Sequence, residues 1–142
     1  MDYRENTLCY EDYCQLRGSV GWVIFSKEQT LTALNKSLYT VTVFENNRAI
    51  GMGRLIGDGM YFMIADLVVD HKKKKKGIGT RIINMLIGYV YRDLPDGGRA
   101  IIQLIAEKGK ESFYEKLGFN LIPHEFCGSG MRKVIRKRMQ EE

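Results

Sequence analysis

Residues 61–106 constrain the fold of this 142-residue chain more than any other segment. They begin with YFMIADLVV, a nearly continuous apolar run that is typical of a buried central strand. A basic loop follows, and apolar residues then recur at helical spacing from residue 77 to residue 91. Residues 101–106 form a second short apolar run. We predict a strand–helix–strand unit with a parallel strand pair, because a helix is the usual crossover between parallel strands.

The chain before this unit predicts two helices and a β-hairpin. Apolar residues lie at helical spacing in residues 11–20 and again after Ser26, which is a good helix N-cap. Residues 39–45 and 49–56 have the composition of two paired strands, and the two asparagines between them form a turn. Three glycines of the second strand favour a bulge or a close approach by another backbone: Gly51, Gly53 and Gly57.

The chain after this unit predicts one helix and further strands. Residues 110–117 form a helix that ends at Gly118, and residues 119–122 and 130–135 are predicted strands. No internal repeat or linker divides the chain, so we expect a single domain over residues 1–142. These elements predict an α/β fold in which helices flank a mixed sheet of about six to seven strands.

Composition and charge narrow the classes of function. The chain is 44% hydrophobic and 27% charged, and no apolar run reaches the roughly 20 residues of a membrane-spanning helix. The N-terminus has no signal-peptide pattern, so we expect a cytoplasmic protein without a membrane partner. The net charge is +5, and much of the excess lies in residues 72–76 and 132–138. An anionic partner is plausible on this basis: a phosphate-bearing cofactor, a nucleic acid or an acidic surface.

The cysteines give no sign of a metal site. Cys9, Cys14 and Cys127 are odd in number, lack CxxC spacing and do not cluster with both histidines. We therefore expect free thiols, with neither a disulfide framework nor a bound metal.

The segment HKKKKKGIGTR, residues 71–81, has the components of a phosphate site. The first turn of a helix presents backbone N–H groups without intrahelical acceptors, and the helix dipole adds positive potential. Gly77 and Gly79 would let a phosphate approach the backbone, Thr80 adds a hydroxyl group and the lysines add charge. A P-loop does not match, and neither does the dinucleotide-binding fingerprint, whose third glycine is missing here.

A second motif, FYEKLGF at residues 113–119, lies downstream of this loop with a predicted strand between them. Together, the two motifs resemble the GNAT superfamily of acyl-CoA-dependent N-acetyltransferases. The family loop (Gln/Arg)-x-x-Gly-x-(Gly/Ala) aligns with KKKGIG at residues 74–79. Lys74 departs from the family's Gln or Arg, and it lacks the planar fork of arginine.

The resemblance implies acetyl-CoA as cosubstrate, held in a cleft where two parallel strands splay apart. The main chain of the central strand would pair with the pantetheine arm, and the glycine loop would bind the pyrophosphate. The implied cofactor-binding residues are Leu67, Val68, Val69, Lys74, Lys75, Lys76, Gly77, Ile78, Gly79, Thr80 and Lys108.

The resemblance also implies catalytic roles. Tyr114 matches the family tyrosine that protonates the departing thiolate. Family members often place a glutamate or a histidine at positions that here are Met63 and Ala65, both apolar. Asp66 is the nearest carboxylate and is a candidate base or water-orienting group, with a structural hydrogen-bonding role as the alternative. Strand alternation points Asp66 away from the face of Met63 unless a bulge intervenes.

The function predicted from these residues is acetyl transfer from acetyl-CoA to a primary amine by direct attack in a ternary complex. The acceptor, a small molecule or a peptide, would contact Trp22, Tyr61 and Glu125. A non-catalytic acyl-CoA-binding or sensing module is the alternative, and a basic nucleic-acid-binding domain is less favoured because the lysine run lacks interleaved aromatic residues. The oligomeric state stays open, with a homodimer as one option.

Overall fold

The computed structural model describes residues 1–73 and 76–139. Its strands are β1 (Asp2–Glu5), β2 (Tyr39–Glu45), β3 (Arg48–Gly57), β4 (Tyr61–Val69) and β5 (Ile101–Gln103). Its α-helices are α1 (Tyr10–Ser19), α2 (Lys27–Asn35), α3 (Ile78–Asp93) and α4 (Glu111–Glu115), and a 3-10 turn spans His71–Lys73. The chain divides into two compact units, Met1–Ile105 and Ala106–Glu142.

The first unit contains a five-stranded sheet in the order β1-β2-β3-β4-β5. The first four strands pair antiparallel, and β4 pairs with β5 in parallel. The predicted α/β class, the hairpin and the parallel pair are therefore confirmed. The β4–β5 ladder joins residues 61–63 to residues 101–103, so the rest of β4 runs on without β5 beside it. The parallel pairing ends at Met63 and Gln103, where β5 itself ends.

The prediction of six to seven strands was wrong for the residues that the structure describes. Residues 119–122 and 130–135 form no strand, and β5 is shorter than the predicted 101–106. The N-terminal strand β1 was not predicted, because its sequence DYRE is polar and has no alternating apolar pattern. A strand of this kind is stabilised by pairing with its neighbour β2, which its own sequence does not reveal.

Helix α3 packs one apolar face against the sheet. Its buried residues recur at helical spacing: Ile78, Ile82, Ile83, Leu86 and Val90. Two glycines of β3 admit this close approach, since a Cβ on Gly53 would overlap the Ile82 side chain and one on Gly51 would already touch it. A second core on the other side of the sheet contains Tyr13, Leu16, Ala49, Met52 and Val68.

A bulge in β4 changes which side chains share a face. Arg54 pairs with Asp66 and Leu55 pairs with Ile64, so Ala65 is an extra residue without a partner in β3. Directly opposite residues of an antiparallel pair point to the same face of the sheet. The bulge therefore turns Asp66 to the face that carries Arg54, Ile56 and Met63.

Candidate active site

The edge of β4 beyond the β4–β5 ladder offers main-chain groups to an extended ligand. The Asp70 N–H donates to the Ile50 carbonyl at 2.7 Å, so the Asp70 main chain faces β3. Successive residues of a strand direct their main-chain groups to alternate sides, which turns Leu67 and Val69 toward the opposite edge. That edge has no strand beside it among the residues described in the first unit. Val68, between them, contributes its side chain to the core.

The N-terminus of α3 has the geometry of an anion site. Gly77 is the N-cap, with left-handed backbone angles of φ 74° and ψ 10°, and no side chain caps the helix there. A Cβ at Gly77 would meet no atom within 4 Å, so open space adjoins the backbone. Ile78 is buried and anchors the first turn of the helix. Because Ile78, Gly79 and Thr80 lie in that first turn, their N–H groups have no intrahelical acceptors.

The lysines before this helix divide into different environments. Lys73 forms an ion pair with Glu45 of β2 at 2.5 Å, and Lys73 lowers the pKa of that carboxyl group. The Lys72 backbone N–H donates to the Asp70 carboxylate at 3.0 Å. Lys76, which directly precedes Gly77, is exposed. Lys74 and Lys75, predicted to contact the cofactor, lie outside the described residues. Lys76 is thus the described lysine next to the α3 N-terminus.

Asp66 lies in a buried cluster of charges and is only 2% exposed. Its Oδ1 atom accepts a hydrogen bond from Arg17 Nη1 at 2.7 Å. Its Oδ2 atom accepts from Arg54 Nε at 2.9 Å and from the Tyr13 hydroxyl at 2.8 Å. Both oxygens are thus engaged, and two guanidinium groups more than balance the single carboxylate. This environment favours the structural role that the sequence left open over a role as general base.

The three partners of Asp66 were not singled out by the sequence analysis. A signal for one of them existed, because Arg54 is the only charged residue within the apolar part of β3, as Asp66 is within β4. Two lone opposite charges on neighbouring buried strands indicate a pair, since an unpaired buried charge is very costly. Arg17 and Tyr13 come from α1, and no local pattern indicates that this helix lies over β4.

Tyr114 belongs to the second unit and is half-buried in an aromatic cluster. Its ring packs edge-on against Phe113 and Phe119, with centroid distances of 5.0 and 6.0 Å. The chain turns back at Gly118, whose φ is 94°, and the Phe119 N–H donates to the Tyr114 carbonyl at 3.2 Å. Burial raises the pKa of the Tyr114 hydroxyl, and the negative charge of Glu107 raises it further. Tyr114 therefore keeps its proton at neutral pH.

The remaining predicted site residues are found on the surface or at its edge. Tyr61, at the start of β4, is 54% exposed. Trp22, predicted to contact the acceptor, is half-buried and packs against the core that contains Tyr13. Lys108 and Glu125 are exposed residues of the second unit, Glu125 in the turn that joins the bridged pair His124 and Cys127.

The described part of the chain offers neither a metal cluster nor a membrane-spanning helix. Residues 1–73 and 76–139 contain no group of three or more histidine, cysteine, aspartate or glutamate residues placed to hold a metal ion. None of the helices in these ranges is long and apolar enough to cross a membrane.

The chain belongs to the GNAT acetyltransferases, because the model of the acetyltransferase (GNAT) domain matches residues 18–137. It is 33% identical over 114 residues to an uncharacterized N-acetyltransferase, ycf52-like, of Prochlorococcus marinus, which covers 77% of this chain and 61% of that relative. The uncharacterized N-acetyltransferase ycf52 of Pyropia yezoensis is 32% identical over 110 residues, covering 74% and 61%. The chain thus spans about three fifths of the length of these curated relatives.

Solved structures of other proteins share the fold. A Staphylococcus aureus protein of unknown function, described as a probable acetyltransferase, superposes with a TM-score of 0.81 at 29% identity, covering 94% of this chain and 98% of that one. A GNAT family acetyltransferase of Streptococcus pneumoniae superposes with a TM-score of 0.78 at 24% identity, covering 96% and 98%. The second likeness concerns the fold alone.

Proposed function

We propose that this chain transfers the acetyl group of acetyl-CoA to a primary amine by direct attack within a ternary complex. The observation that carries this proposal is the α3 N-terminus, where a left-handed glycine, open space and N–H groups without intrahelical acceptors follow the part of β4 that has no described strand beside it. Family membership supports the same reaction class. Acceptors would be small molecules or peptides that carry an amine.

The described residues fit the implied cosubstrate. The N–H groups of the first turn of α3 would bind the pyrophosphate, with Lys76 adding charge. The main chain of Leu67 and Val69 would pair with the pantetheine amides as another strand would, which is the common mode of binding at a sheet edge. When bound, acetyl-CoA supplies an activated thioester carbonyl, and these residues hold and orient it.

Tyr114 is proposed to donate its proton to the departing thiolate. The new carbon–nitrogen bond forms as the carbon–sulfur bond breaks, and the hydroxyl proton passes to sulfur. A donor must stay protonated until that step, and the raised pKa of Tyr114 meets this requirement.

The acceptor amine must also lose a proton. Asp66 is the only carboxylate of β4, and its engagement with two arginines makes it a poor base. We propose that the amine binds neutral, that the proton released from its nitrogen during attack passes to water, and that Tyr114 regains its own proton from solvent. The rate should then rise with pH through the pKa of the acceptor amine itself, and a rate limb near pH 6 that persists with amines of different pKa would refute this route.

Two measurements test the proposal. Acetyl-CoA should raise the melting temperature. At a concentration of one hundred times its Kd, it should add roughly 2.7 kcal/mol to the free energy of unfolding. A panel of amines, followed by release of free CoA thiol, should then identify a substrate. The absence of any thermal shift with acetyl-CoA would reject the cofactor assignment.

A non-catalytic acyl-CoA sensor is the second candidate. It is favoured by one observation, that the face of β4 bearing Met63 has no free carboxylate or imidazole among its described residues. Thermal stabilisation by acetyl-CoA without turnover of any amine would support this candidate. A nucleic-acid binder would instead show a shift with DNA or RNA and none with acetyl-CoA.

A further inference from the structure

The segment between α1 and α2, residues 20–26, is linked to the central strand through the side chain of Arg17, and Trp22 of the same segment packs against the core. We call this segment the acceptor loop. Near the end of α1, Arg17 donates from Nε and Nη2 to the Val23 carbonyl at 2.9 and 2.6 Å. The same guanidinium donates from Nη1 to Asp66 Oδ1 at 2.7 Å. One planar group therefore links the backbone of the acceptor loop to the central strand.

Three aromatic rings lie near that guanidinium. Its carbon lies 5.3 Å from the ring centroid of Trp22, 5.4 Å from that of Phe25 and 5.7 Å from that of Tyr13. Trp22 and Phe25 belong to the acceptor loop itself. The side chain of Arg17 is only 11% exposed, so its hydrogen bond to the buried Asp66 is shielded from water, whereas its hydrogen bonds to the Val23 carbonyl lie at the exposed loop.

Through Arg17 and Asp66, the acceptor loop is connected to the face of β4 that carries Met63. The bulge at Ala65 puts Asp66 on the same face as Met63, which is 39% exposed. Val23, whose carbonyl Arg17 holds, has a side chain that points outward and a residue exposure of 74%. The loop backbone is thus held by Arg17 at Val23, while the side chains of Val23, Ile24 and Phe25 are exposed.

We propose that Arg17 is a positioning residue that holds the acceptor loop against β4 and so sets the affinity for the amine. This inference rests on the proposed function only for the identity of the ligand. Arginine is required because its fork donates to a carbonyl and a carboxylate at once, whereas the ammonium of lysine is a point charge on a flexible stem. When Arg17 is replaced, Asp66 keeps Arg54 and Tyr13 on Oδ2, but its buried Oδ1 loses the hydrogen bond from Arg17, so some loss of stability is also expected.

The chain carries its own probe of this anchoring. Trp22 is its single tryptophan and lies in the acceptor loop, so the intrinsic tryptophan emission reports on that loop alone. The variants are Arg17→Lys and Arg17→Gln, with Arg4→Ala as the matched control, because Arg4 also stacks on an aromatic ring but does so on β1. Circular dichroism and urea unfolding show whether each variant is folded.

In both Arg17 variants, Trp22 emission should shift to longer wavelength, and acrylamide quenching should increase about twofold as the indole becomes hydrated. The Kd for acetyl-CoA, measured by calorimetry, should stay within about twofold of the wild type. KM for the amine should rise roughly tenfold or more with kcat little changed, as expected on loss of hydrogen bonds to a charged group. Arg4→Ala should behave as the wild type in all three measurements.

Folded Arg17 variants with wild-type emission and quenching would overturn the proposal. An equal loss of acetyl-CoA affinity would do the same, because it would indicate a general structural role. A changed emission with an unchanged KM would show that the loop does not contact the amine. If no amine is acetylated by the wild type, the proposed function fails, and the Trp22 measurements alone decide whether Arg17 anchors the loop.

Discussion

Replacement of Gly77 by valine gives the sharpest test of the cofactor site. Gly77 has a φ of 74°, and a Cβ there would meet no neighbouring atom within 4 Å. The expected damage therefore comes from backbone strain and from filling the open space, not from a clash inside the protein. A side chain in the left-handed region costs roughly 1–2 kcal/mol, and a β-branched one lies at the upper end.

Gly97 provides a matched control within the same unit. It has a φ of 76°, and a Cβ there would likewise meet no atom within 4 Å, but it lies in the turn after α3. Gly77→Val and Gly97→Val should therefore lose similar stability, about 1–2 kcal/mol each, which corresponds to roughly 3–10 °C in Tm. The two variants are equal in strain and differ in which end of α3 they affect.

The Kd for acetyl-CoA should separate the two variants. Relief of the strain at residue 77 would rotate the peptide groups that begin α3, and the valine side chain would fill the space that a phosphate needs. Calorimetry should show at least a tenfold rise in Kd for Gly77→Val, about 1.4 kcal/mol, and no significant change for Gly97→Val. Gly77→Ala should fall between wild type and valine. Equal affinity of the two valine variants would refute the assignment of the pyrophosphate to this loop.

Three further changes test the catalytic and structural assignments. Tyr114→Phe should lower kcat roughly 100-fold with the acetyl-CoA Kd unchanged. The wild-type rate should fall at high pH only above the ordinary tyrosine pKa. Unchanged turnover in the variant would exclude Tyr114 as the proton donor. Asp66→Ala should cost about 3–5 kcal/mol in urea unfolding, because two buried guanidinium groups lose their counterion, and a loss below 1 kcal/mol would contradict the cluster. Burial and the hydrogen bond to Glu5 raise the pKa of Tyr39 to about 12, so the stability from this group is present below pH 10 and is lost between pH 10 and 12. The free energy of unfolding of the wild type should fall by roughly 2–3 kcal/mol over this range, and that of Tyr39→Phe should not show this fall. Identical pH profiles of stability for the wild type and Tyr39→Phe would contradict the role of Tyr39.

Local periodicity was sufficient for the elements that have a strong pattern of their own. The apolar spacing of α3 predicted its buried face, and the composition of β2 and β3 predicted the hairpin. The loop motif placed Gly77 at the start of α3, and the structure adds that its backbone is left-handed, a conformation that glycine adopts at little cost. These features depend on interactions between residues that are near each other in the chain.

Pairing between strands could not be predicted as well. The polar segment Asp2–Glu5 forms an edge strand because β2 offers it a partner, and residues 119–122 form none although their sequence is apolar. A short run of residues has little preference for the extended state without a neighbouring strand. The number of strands is therefore a property of the assembled sheet.

Asp66 shows the same division at the candidate site. The sequence by itself determined which groups are present: one carboxylate on an apolar central strand, two apolar residues where a base would be expected, and Gly77 before α3. Only the tertiary structure decided that a bulge turns Asp66 toward Met63 and that Arg17 and Arg54 then occupy both of its oxygens. The reason is physical: a buried charge takes the partners that folding brings within reach, and those partners come from distant parts of the chain.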